Sequence, residues 1–72
     1  MQLKHNEMLE HGRFRVEPFG FGTESWLVVV NDGYRGGLLF ATSEQAILHC
    51  EAVFGESVVR QARRVRLART YL

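Results

Sequence analysis

The sequence predicts a small α+β domain: a three-stranded antiparallel β-meander covered by a helix, with a short N-terminal helix and a basic C-terminal helix. Three observations predict it. Residues 13–17 alternate charged and apolar side chains, Phe14 and Val16 against Arg13, Arg15 and Glu17, the period of a half-buried strand. Residues 25–30, Ser-Trp-Leu-Val-Val-Val, form a continuous β-branched and aromatic run, suited to a central strand. Residues 42–54 begin with a capping pattern and continue with apolar residues at helical spacing, as an amphipathic helix requires.

The elements follow in order. Residues 2–11 are predicted as a short helix closed by Gly12 at C′, although Leu3, Met8 and Leu9 are poorly spaced for one face. The first strand runs over 13–19 and meets Pro18, which cannot donate to a ladder and ends the strand or confines it to an edge. Gly20 to Glu24 reads as a turn. After the 25–30 strand, Asp32-Gly33 is a strong hairpin signal, because both turn positions tolerate positive φ. The returning strand, Tyr34 to Phe40, contains Gly36-Gly37, which suggests a bulge or a close backbone approach.

Thr42 as N-cap and Gln45 at N3 form a capping box. Ala46, Ile47, Cys50, Val53 and Phe54 then make one stripe, and Gly55 ends the helix. A second helix is expected from Ser57, with Val58, Ala62, Val65, Ala68 and Leu72 on one side. The alternation Arg64-Val65-Arg66-Leu67 also suits a strand. Arg, Ala, Leu and Gln are good helix formers and favour the helix. The chain of 72 residues reads as one domain, 1–72, with a compact unit at 12–55 and the basic helix at 57–72.

A domain this short buries only about 60% of its unfolded surface, so its stability is marginal and self-association would help it. Cys50 is the single cysteine. It falls on the inward stripe of the predicted helix, where a thiol acts as a small hydrophobe, and a reducing cytoplasmic setting fits. The N-terminal Met-Gln-Leu-Lys-His-Asn-Glu lacks the apolar core of a signal peptide. No apolar run approaches the ~20 residues that span a bilayer, so no membrane partner is expected.

Charge is the most informative feature for function. Residues 1–56 hold all eight carboxylates against Lys4, Arg13, Arg15 and Arg35, a sum of −4. Residues 57–72 hold Arg60, Arg63, Arg64, Arg66 and Arg69 with no acid, a sum of +5. The net charge of +1 therefore hides an acidic body with a basic end, which attracts an oppositely charged partner. Arginine forks bind phosphate and carboxylate bidentately, so nucleic acid and an acidic protein surface both qualify.

Catalytic and metal chemistry find no support. His5, His11, His49 and Cys50 lack the spacings that zinc sites use. His49 and Cys50 are adjacent and point in different directions on a helix, so they encode no local nucleophile pair. The glycines match no phosphate-loop pattern. Neither an enzyme nor a cofactor is expected.

With Arg13, Arg15 and Arg35 on its outer side, a three-stranded sheet backed by a helix broadly resembles the arm-binding domains of tyrosine integrases. The order α-β-β-β-α broadly resembles double-stranded RNA-binding domains. The first resemblance implies a sheet laid in a DNA groove. The second implies a cationic start to the last helix, but that position reads Ser43-Glu44-Gln45-Ala46, which would repel phosphate. In size and composition the chain also resembles phage- or plasmid-encoded modulators of host machinery, anti-CRISPR proteins among them. Fold analogy alone does not carry function.

The expected function is a non-enzymatic cytoplasmic interaction module that binds and modulates or inhibits a larger protein with an acidic surface. Arg60, Arg63, Arg64, Arg66 and Arg69 are its expected electrostatic contacts, and Phe19, Phe21 and Trp26 its apolar anchors. The alternative is a small nucleic-acid-binding regulator using the same arginines or the Arg13, Arg15 and Arg35 face. Val58, Val65 and Leu72, at seven-residue spacing, are the candidate homodimer seam.

Overall fold

A computed structural model describes residues 2–20, 25–31 and 37–67. The elements are β1 (Glu7–Glu10), β2 (Phe14–Phe19), β3 (Ser25–Val30), β4 (Leu38–Phe40), α1 (Ser43–Phe54), α2 (Glu56–Gln61) and β5 (Arg63–Arg66). The α+β class stands. The sheet has five antiparallel strands in the order β4-β3-β2-β1-β5, not three. The predicted meander, β2 to β4, forms one side of the sheet, with β4 at the edge. One further strand precedes the meander in the chain, and another follows the helices.

Register decides which side chains share a face. Leu9, Val16, Val28 and Leu38 lie opposite one another across β1 to β4, and Phe14 stands opposite Val30. This face meets the helices. Leu9, Phe14, Val16, Trp26 and Val28 form a core with Ala46, Ile47, Cys50 and Val59. By strand alternation, Met8, Glu10, Arg15, Glu17, Leu27, Val29, Leu39, Arg63 and Val65 share the other face.

The N-terminal helix is not formed. Residues 7–10 are a strand whose Leu9 enters the core while Glu7 and Glu10 stand opposite Arg66 and Arg63. The poor helical spacing of Leu3, Met8 and Leu9 left little to stabilise a helix, and β2 offered an edge to pair with. Gly12 lies in the β1–β2 hairpin, closed by His11 N–H to Phe14 O at 2.9 Å and Phe14 N–H to His11 O at 3.3 Å. Leu3 is also buried, and its N–H donates to Ser43 Oγ at 3.0 Å. Ser43 is the one buried polar residue among the described positions and ties the N-terminal segment to the start of α1.

The central helix forms as expected. Thr42 has extended backbone, and its hydroxyl accepts the Gln45 N–H at 3.1 Å. Ala46, Ile47 and Cys50 are buried, and Phe54 packs beside the core. Val53 departs from the expected stripe and is 56% exposed. Gly55 ends the helix at φ 99°, a region that side chains avoid, and its carbonyl accepts the first α2 bond, from Val59 N–H at 3.2 Å. Gly37 gives the predicted close approach: a Cβ there would lie 2.8 Å from both Leu27 Cδ1 and the Val28 carbonyl oxygen.

The basic C-terminal helix is also corrected. α2 ends at Gln61, Ala62 is extended at ψ 151°, and Arg63–Arg66 pairs with β1. Helix propensity differs between residues by only tenths of a kcal/mol. The unpaired edge of β1, with acids opposite arginines, outweighs it. The seven-residue stripe therefore does not exist as a helix face. Val58 packs on the core from α2, while Val65 lies on the sheet face away from the helices. Leu72 lies outside the described residues, as do the predicted Asp32-Gly33 turn and residues 68–71 of the predicted helix. No helix among the described residues is long and apolar enough to cross a membrane.

Candidate functional site

The chain brings Arg63, Arg64 and Arg66 to one margin of the sheet. α2 carries the chain to Ala62, and β5 then runs antiparallel to β1 as the outermost strand. Strand geometry sends Arg63 and Val65 to the open face and Arg64 and Arg66 to the helix side. Side chains two apart in a strand stand about 7 Å apart, so Arg64 and Arg66 form a pair of guanidiniums along the edge.

Their neighbours set them apart from the other arginines. Arg63 Nη2 lies 3.3 Å from Glu10 Oε1 across the strand pair. Arg60 Nη2 lies 3.6 Å from Glu56 Oε1 within α2, both exposed. Arg15 Nε lies 3.5 Å from Glu17 Oε1. The Arg13 guanidinium sits 5.0 Å above the Phe54 ring, which in turn stacks on Phe14 at 5.0 Å. Arg64 stands opposite the buried Leu9. Arg66 stands opposite Glu7, whose Oε1 instead accepts the Lys4 N–H at 2.9 Å. Arg64 and Arg66 are exposed and have no carboxylate or aromatic partner among the described residues.

Backbone polarity at the edge follows from one bond. Leu67 N–H donates to Asn6 O at 2.6 Å. In an antiparallel ladder bonded pairs alternate, so Val65 with Met8 and Arg63 with Glu10 are the next bonded pairs. The N–H and C=O groups of Arg64 and Arg66 therefore point away from β1. Among the described residues, those that carry the guanidiniums in no ion pair also present backbone donors and acceptors away from β1.

The remaining sequence candidates are dispersed. Phe19, at the end of β2, is 48% exposed. Trp26 is only 4% exposed and belongs to the core, so it offers no surface anchor. Arg13 lies in the β1–β2 hairpin loop rather than on the sheet, and Arg15 is flanked by Glu17 and Glu10. They make no common cationic face. Phe21, Arg35 and Arg69 lie outside the described residues. The sequence reading missed the open sheet face with Met8, Leu27, Val29, Leu39 and Val65, and it missed the backbone edge. The alternation Arg64-Val65-Arg66-Leu67 was the signal for the latter.

The described residues contain no cluster of three or more histidines, cysteines or carboxylates that could hold a metal. Burial, with Glu51 adding to it, pushes the Cys50 thiol up to about 11. That is the opposite of an activated nucleophile. The chain matches no family model, no curated protein and no solved structure.

Proposed function

We propose that this chain is a non-catalytic interaction module that binds and modulates a larger protein through a carboxylate-bearing surface, with β5 as the contact. The observation that carries this reading is the pair Arg64 and Arg66, exposed at the sheet margin and in no ion pair among the described residues, the Glu7 carboxylate opposite Arg66 being taken up by the Lys4 N–H. The other described arginines are each engaged by a carboxylate or a ring. Two arginines left without one, on the outermost strand, are what an acidic partner would complete. Two such cations among the described residues are few for nucleic acid, which is usually met by a broader basic footprint. The dispersal of Arg13 and Arg15 removes support for a cationic sheet face.

The test is binding of labelled poly-glutamate and of labelled random duplex DNA and RNA at low and moderate salt. The protein is compared with an Arg64→Gln/Arg66→Gln variant, whose fold is checked by its melting curve. The reading predicts poly-glutamate binding that the variant loses, and weaker binding to both duplexes. Stronger duplex binding, lost in the same variant and falling with log salt at a slope of about −2, would assign the edge to phosphates instead. No binding to any of the three would end the reading.

A further inference from the structure

Resting on that reading, we propose that the partner is an extended acidic segment that adds to the sheet as a sixth, antiparallel strand beside β5, with carboxylates at alternate positions around one apolar residue. Two properties coincide at Arg64 and Arg66. Their backbone N–H and C=O groups point out of the sheet, and their guanidiniums are in no ion pair among the described residues. In an antiparallel ladder, a residue opposite an outward-facing one exchanges both of its backbone bonds with it and lays its side chain alongside. One incoming residue opposite Arg66 and another opposite Arg64 would each make two backbone bonds and one ion pair. The residue between them would stand beside Val65 on the open face, where Val65 already faces Met8. The recognised pattern is therefore Glu-Val-Glu or its close equivalents.

On its inner edge β5 already pairs antiparallel with an acid-bearing strand. That strand is the acid-flanked Glu7-Met-Leu-Glu10, with Glu10 bonded to Arg63 at 3.3 Å. A second copy of the chain does not fit the same edge. Backbone bonding between two β5 edges must oppose outward residues to outward residues, and these are arginines. Like charges directly opposite destabilise a strand pair. The edge thus rejects itself and admits an acidic strand.

The experiment uses a labelled ten-residue peptide carrying Glu-Val-Glu in a threonine-rich context, read by fluorescence anisotropy with the full chain. Three forms are compared: unmodified, N-methylated at both glutamates, and N-methylated at the valine. Strand addition predicts that methylating the glutamates weakens binding roughly tenfold or more, that methylating the valine changes it less than about twofold, and that the Arg64→Gln/Arg66→Gln variant binds none of the three. Equal binding of all three forms, lost in the variant, would overturn strand addition while leaving an acidic partner in place. Peptide binding that the variant keeps, or its absence, would overturn both. Duplex DNA that displaces the peptide and binds more tightly would overturn the choice of a protein segment.

Discussion

Three residues fix much of the behaviour expected of this chain. The Ser43 hydroxyl accepts the N–H of the buried Leu3 at 3.0 Å. Ser43→Ala leaves that donor without its acceptor and should cost about 1–3 kcal/mol, measured by urea denaturation. Gly37 lies against the Val28 carbonyl, which cannot rotate away. Gly37→Ala should therefore cost about 1–3 kcal/mol. A stability unchanged in Gly37→Ala would show that β4 has room to shift. Cys50 is fully buried, and its thiol is held neutral by desolvation, with a pKa near 11 against the usual 9.0. The unfolded chain ionises first, so between those values the native state binds more protons. Stability attributable to this group is present below pH 9 and is lost as pH rises through 11. A Cys50→Ala variant should show a flatter fall in its urea midpoint over that window. At pH 8 the native thiol should resist alkylating reagents until the protein unfolds.

At the scale of elements, what was legible depended on whether the pattern was local. β2, β3 and α1 were legible because alternation, a β-branched run and a cap are written in consecutive residues. The Thr42 cap appears as read, and Ala46, Ile47 and Cys50 face inward as read. β1 and β5 were not legible, because each is a strand only by virtue of the other and of β2. Glu7-Met-Leu-Glu10 has a single core residue, Leu9, and no period of its own. Residues 63–66 have the composition of a helix and the alternation of a strand, and the complementary charges that decide between them lie more than fifty positions away. The candidate site was half legible for the same reason. The arginines could be named from the sequence, but their separation into engaged and unengaged ones could not. The β1–β5 pairing makes its own prediction. Glu10→Arg sets like charges opposite each other at Arg63 and should destabilise by about 0.5–1 kcal/mol. Adding Arg63→Glu should restore the part that Arg63 contributes in a double-mutant cycle, while residue 10 still stands opposite Arg15. Independent effects of the two changes would mean that the 3.3 Å pair does not couple the strands.

For the whole molecule, charge asymmetry takes a different form from a basic helix projecting from an acidic body. Glu7 and Glu10 of β1 stand opposite Arg66 and Arg63 of β5, so the acidic and basic stretches of the sequence touch within one sheet. Within β5 the charge in no ion pair among the described residues narrows to Arg64 and Arg66, on the edge and toward the helices. The open face beside them, with Met8, Leu27, Val29, Leu39 and Val65, is opposite the face that the helices cover. A strand added at β5 would extend the sheet without disturbing the core. All of this rests on residues 63–66 being an edge strand with alternating backbone polarity. Amide hydrogen exchange of the free protein, resolved by NMR, tests that directly. The predicted result is slow exchange at Arg63 and Val65, which donate to β1, and fast exchange at Arg64 and Arg66. Uniform protection across the four amides with helical carbon shifts, or protection at Arg64 and Arg66 in the free chain, would contradict the account.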